Sequence, residues 1–147
     1  MVNKKQLTRI ILIVLVLGYY VWTEYQPGSV NGSVGEQNNN ALLQAIANQH
    51  SDVQVTGAGE VIKLLTDDND GSRHQRFLVK IPSGDVILIA HNIDLAPRVD
   101  ALRRGDQIRF NGEYEWNNKG GVVHWTHKDP RSKHLHGWLE HQGEKYW

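Results

Sequence analysis

Two segments alternate between apolar and polar residues, and that alternation narrows the fold more than any other feature of the chain. In QIRFNGEYEW, positions 107 to 116, Ile108, Phe110, Tyr114 and Trp116 share one face, while Arg109, Glu113 and Glu115 share the other. HQRFLVKI, positions 74 to 81, sets Phe77, Val79 and Ile81 against His74, Arg76 and Lys80. Successive side chains of a strand point to opposite faces, so a period of two lays one face on a core and the other in water. All-helical folds are thereby excluded.

Three further strands follow from the rest of the chain. VQVTGAGEVIKLL, 53 to 65, is rich in branched residues and carries Gly57 and Gly59, which suit a strongly bent strand. VILIAH, 86 to 91, is apolar on both faces, as a covered strand is, and VVHW, 122 to 125, begins a last strand. TDDNDG at 66 to 71, PSGD at 82 to 85 and NNKGG at 117 to 121 read as turns. TDDNDG lacks the ligand spacing and distal glutamate of a calcium loop. LAPRVDALRRGD, 95 to 106, crosses over as loop or short helix, and a helix over about 37 to 48, capped from Ser33 and Glu36, covers one end. Five strands, a bent first strand and a crossover between the third and fourth predict a mainly β fold. Its form is a small OB-like Greek-key barrel with an N-terminal covering helix, spanning 37 to 147.

The N-terminal part obeys different rules. Lys4, Lys5 and Arg9 precede the uncharged run IILIVLVLGYYVW, 10 to 22, and extension to residues 7–25 approaches the length of a tilted membrane helix. Tyr19, Tyr20, Trp22 and Tyr25 stand where a cleavable signal needs small residues, so a single transmembrane anchor over 1–25 is the expectation. Secretion after cleavage is the alternative. The basic flank places the N-terminus in the cytoplasm and the C-terminal domain outside, across a bacterial inner membrane. QPGSVNGSVGE, 26 to 36, reads as a flexible linker.

Charge and cysteine content bound the partners. The chain holds 16 basic and 16 acidic residues, and removing Lys4, Lys5, Arg9 and Glu24 leaves 13 and 15 in the exported part. Bulk charge thus gives no support to nonspecific nucleic-acid binding. With no cysteine, the domain folds without disulfides.

Chemistry concentrates in HWTHKDPRSKH, 124 to 134. His124, His127 and Asp129 are ligand types for a divalent metal such as zinc, with His134 and His136 as reserves and His91 as a further ligand from the third strand. In an unbroken strand His124 and His127 face opposite sides, so one metal requires a turn at Trp125-Thr126. The structural reading has these imidazoles bonding backbone groups where a barrel strand ends. His91 likewise reads first as a neutral buried histidine and second as an acid/base, so the catalytic candidates are His91, His124 and His127. Glu113 and Glu115 offer a metal or carboxylate pair, against the simpler reading of solvation or pairing with Arg109. His74, Arg76 and Lys80 make a phosphate-facing row, and Trp116, Trp125, Trp138 and Trp147 offer aromatic area, with Trp125 the candidate ligand contact, against the simpler reading that most of these rings pack in the core.

RHQRF at 73 to 77, LIAHNIDLAPRV at 88 to 99, GDQIRFNGEYEWNNKGGVVHWTHKDP at 105 to 130 and HGWLEHQGEKY at 136 to 146 resemble a bacterial family, domain of unknown function 3465. That resemblance implies a small exported or membrane-anchored protein and transfers no catalytic residue. Three functions follow as expectations. The first is a membrane-tethered module binding an oligomeric anion, a glycan or a protein. The second is a metal-assisted hydrolase such as a phosphodiesterase or nuclease, and the third a structural or assembly protein. Convergence of His91, His124, His127 and a carboxylate in one open pocket would favour the enzyme.

Overall fold

A computed structural model describes residues 39–147. The expected anchor at 7–25, the linker at 26–36 and the cap from Ser33 and Glu36 lie outside the described residues. Among the described residues no helix is long and apolar enough to cross a membrane.

Helix α1, Asn40–Asn48, precedes seven strands: β1 Val53–Leu64, β2 His74–Lys80, β3 Val86–Asn92, β4 Gln107–Glu115, β5 Val122–His124, β6 Trp138–His141 and β7 Glu144–Tyr146. Strands β1-β2-β3-β5-β4 lie side by side, and pairing of β4 back onto β1 closes them into a barrel. Among the described residues the one parallel pair is β3 with β5, Leu88 opposite Val122 and Ile89 opposite Val123. This is the expected five-stranded OB-like barrel with an N-terminal helix. The crossover between β3 and β4 holds turns and no helix.

Alternation builds the interior. Phe77, Val79, Ile87, Ile89, Ile108, Phe110, Tyr114 and Val123 are buried completely or nearly so, and Leu42 of α1 with Val99 of the crossover joins them. Gln75 shares the buried face of β2, where its amide donates to the Val99 carbonyl and accepts from the Val99 N–H at 3.0 and 2.9 Å. A buried amide satisfied on both sides pins the crossover against the sheet. Asn39 does the same between α1 and Ala58 of β1.

The β1 glycines serve close approach. A Cβ on Gly57 would lie 2.3 Å from the Phe110 ring, and one on Gly59 2.5 Å from the Lys80 carbonyl. The irregularity in β1 comes later, between Val61 and Lys63.

Two strands exceed the sequence expectation. β6 pairs with β4 over Ile108 to Asn111, whereas β5 pairs with β4 over Glu113 to Glu115. Both run antiparallel to β4 along the same edge, so β5 and β6 are two halves of one strand. Residues 125 to 137 are extruded from it opposite Gly112. A Cβ on Gly112 would meet the His124 carbonyl at 2.3 Å, and one on Gly137 the Trp125 carbonyl at 1.9 Å, so both glycines let the base of the loop close. Trp125 starts the excursion at φ 52°, a left-handed conformation uncommon for a bulky residue. β7 returns along β6 through Gln142-Gly143, both at positive φ as a two-residue hairpin requires.

Candidate metal centre

The outward face of β4 carries Glu113 and Glu115, and the hairpin through 117–121 places His124 directly opposite Glu113. His124 Nε2 lies 3.4 Å from Glu113 Oε1 and 3.8 Å from Glu115 Oε1. One ligand atom from each residue falls within 4.8 Å of the others. The Nε2 atom is itself buried and has no hydrogen-bond partner among the described residues, although the His124 side chain is 35% exposed. Metal–ligand bonds of about 2.0–2.2 Å in a tetrahedron put neighbouring ligand atoms about 3.3–3.6 Å apart, close to the separations around His124. The cluster is able to coordinate a divalent metal ion.

The other oxygen of Glu113 is fixed from the extruded loop. His134 Nε2 donates to Glu113 Oε2 at 2.7 Å, and its Nδ1 donates to the Leu135 carbonyl at 2.8 Å. Two donating nitrogens define an imidazolium. Burial works against that charge, but the Leu135 carbonyl and the Glu113 carboxylate outweigh it and raise the His134 pKa. The imidazolium thereby aims Glu113 Oε1 at His124, as outer partners orient ligating carboxylates in metal sites. Trp125 stacks on the His134 ring at 4.2 Å and 8°.

A groove of about 320 Å³ runs beside the cluster. Its floor is Leu88, Ala90 and Val122; Glu115 and His124 stand on one side, and Arg76, His74 and Asp68 on the other. The register explains the width. Arg76 is opposite Ala90 on β3, and β3 borders β5, so about 10 Å of sheet separates the cation row from His124. Arg76 is held by the Thr66 carbonyl at 3.0 Å and by Asp68 at 3.5 Å, and His74 Nδ1 donates to the Ser72 carbonyl. Lys80 is exposed at the far end of β2, opposite Glu60, and lines a different pocket.

The remaining predicted ligands go elsewhere. Asp129 accepts from the N–H groups of Arg131, Lys133 and His134, which hold its carboxyl down at about 2. His127 Nδ1 donates to the Lys128 carbonyl, and His136 Nδ1 accepts from the Asp129 N–H. Despite the turn at Trp125, the grouping of His124 with His127 and Asp129 does not form. His91 is fully buried; its Nε2–H donates to Pro97 and its Nδ1 accepts from the Thr126 hydroxyl. Burial pushes its pKa down to about 4, so it is a neutral strut between β3, the crossover and the loop. Of the three catalytic candidates, only His124 meets carboxylates in an open groove.

Arg109 also departs from expectation. It pairs with Glu140 of β6 at 2.9 Å and lies over Trp138, leaving Glu113 and Glu115 free of it. Sequence reasoning missed buried His141, which donates to Asp106 at 2.8 Å and ties β6 to the entrance of β4. Its only signal is a histidine at the parity of Leu139 in a segment not read as a strand.

No curated protein matches the chain. The family model described as Protein of unknown function (DUF3465) matches residues 28–147, which takes in the helix, all seven strands and the extruded loop. The chain belongs to the DUF3465 family.

Proposed function

We propose that the barrel is a metal-assisted phosphodiester hydrolase, with Glu113, Glu115 and His124 as the metal ligands. The observation that carries this reading is a buried imidazole nitrogen, without a hydrogen bond among the described residues, held between two carboxylates at the edge of an open groove. Arg76 on the facing wall, shared with Asp68, adds a guanidinium that a phosphate can meet, and His74 beside it adds a ring nitrogen. A bound divalent ion supplies Lewis acidity toward a phosphoryl oxygen and acidifies a water molecule. Three protein ligands would leave a fourth position open to water or substrate.

In the net reaction the water oxygen bonds to phosphorus as the ester P–O bond breaks. One water proton ends on the departing alkoxide, and the other is released as the monoester ionises. Arg76 meets charge on the non-bridging oxygens, and its tie to Thr66 fixes its approach. His134 keeps Glu113 oriented. Tethering through residues 7–25, with catalysis outside the cytoplasm, belongs to the same proposal.

Calorimetric titration of the metal-stripped full chain with zinc and with manganese tests the site. Saturable binding of one ion is expected, and His124→Ala or Glu115→Gln should lower its affinity by at least about tenfold. Hydrolysis of bis(p-nitrophenyl) phosphate should fall in parallel. Absence of saturable binding by either metal would defeat the proposal.

A further inference from the structure

A second cavity, about 660 Å³, is bordered by the Trp125–His134 stack. Leu95 of the crossover forms one wall, and the extruded loop supplies the rest through Trp125, Pro130, Arg131, Lys133 and His134. Its size falls within the roughly 300–1,000 Å³ of small-molecule sites. The metal reading does not use this space.

Its chemistry is specific. Leu95 is 45% exposed, an apolar surface beside an aromatic wall. Arg131 and Lys133 are exposed, and among the described residues neither side chain has a partner; only their backbone N–H groups bond Asp129. Asp129 also lines the cavity, but three backbone donors already occupy its oxygens. The accessible charge at the rim is therefore positive. Trp125, at φ 52°, opens the loop in a strained conformation, and such strain tends to persist where the surrounding structure enforces it.

We infer that this cavity is the base-binding subsite for single-stranded nucleic acid, with the stacked Trp125–His134 pair, backed by His127 5.2 Å from Trp125, as the aromatic wall, Leu95 as the apolar one, and Arg131 and Lys133 as phosphate contacts. A neutral glycan would use the tryptophan but leave both cations idle. An acidic glycan would use the cations but bring no phosphodiester to the neighbouring centre. A nucleotide joins a planar ring to a phosphate, and His134 links the two places here: it stacks on Trp125 and bonds Glu113. A strand with one base in the cavity passes its next phosphate toward Glu113 and His124. The choice of nucleic acid rests in that respect on the proposed hydrolysis.

The test separates the two ideas. Fluorescence anisotropy of a labelled thymidylate dodecamer with the full chain, in EDTA, reads the cavity alone, whereas zinc titration without oligonucleotide reads the metal cluster alone. Binding in EDTA is expected, weakened about tenfold or more in Trp125→Ala because base–aromatic stacking is lost. Trp138→Ala should leave it within about twofold. The double variant Arg131→Glu/Lys133→Glu changes only exposed side chains and should also abolish binding, so the idea stays testable if Trp125→Ala fails to fold. Zinc binding with no oligonucleotide binding would overturn the inference and leave the metal site standing. Preference for an acidic uronate oligosaccharide over the dodecamer would overturn it as well.

Discussion

At the scale of single residues, the histidines divide by what their two nitrogens meet. His91 has a carbonyl on one side and a hydroxyl on the other, and its burial, which outweighs the pull of the Pro97 carbonyl toward the charged ring, keeps it neutral with a pKa of about 4. In the unfolded chain a histidine titrates near 6.5. Between those values the unfolded state binds more protons, so stability is complete above pH 6.5 and declines as pH falls toward 4. Unfolding by urea should therefore show about 2 kcal/mol less stability at pH 5 than at pH 7, from His91 alone. His91→Gln should flatten that pH dependence; an unchanged slope in the variant would assign it elsewhere. His134 has the opposite sign. Its raised pKa makes its contribution complete below pH 6.5 and lost as pH climbs through the raised value.

The element that decides the site is the strand broken into β5 and β6. Hairpin pairing about 117–121 fixes Glu115 opposite Val122 and Glu113 opposite His124, a register that the NNKGG turn already encodes. Counting outward from that turn joins Glu113 to His124, whereas the density of ligand types in 124 to 134 points to His127 and Asp129. The extrusion at 125–137 is harder to read, because nothing local shows that Trp138 resumes the strand that His124 leaves. Its two strand ends face Glu113 and Asn111 across Gly112 alone. Replacing residues 125 to 137 by a two-glycine link should therefore preserve a cooperative β-barrel. Loss of Thr126 leaves buried His91 without one partner, so a cost of about 1–3 kcal/mol is expected from chemical denaturation. A chain that no longer unfolds cooperatively would show that the loop is integral to the barrel.

For the whole molecule, equal numbers of acidic and basic residues mean that partners are met through local arrangements. The anchor proposed over residues 7–25 makes a separate prediction: the protein should fractionate with membranes with its N-terminus intact, and proteases should reach residues 26–147 in spheroplasts. Mass spectrometry showing a mature chain that begins after residue 22 would replace the anchor by a cleaved signal. By itself the sequence determined the barrel, because strand alternation and the β3–β4 crossover are short-range patterns imposed by the two-residue repeat and by turn chemistry. It also determined which residue types were available for metal and phosphate. Beyond the Glu113–His124 pairing encoded by the hairpin register, the folded structure decided their partners. Asp129 was taken by the backbone of its own loop, Arg109 by Glu140 and His91 by Thr126 and Pro97, while His124 was left between two carboxylates. The physical reason is that hydrogen bonds and ion pairs form between groups brought together by strand register and loop closure, and those separations along the chain reach 35 residues for His91 and Thr126.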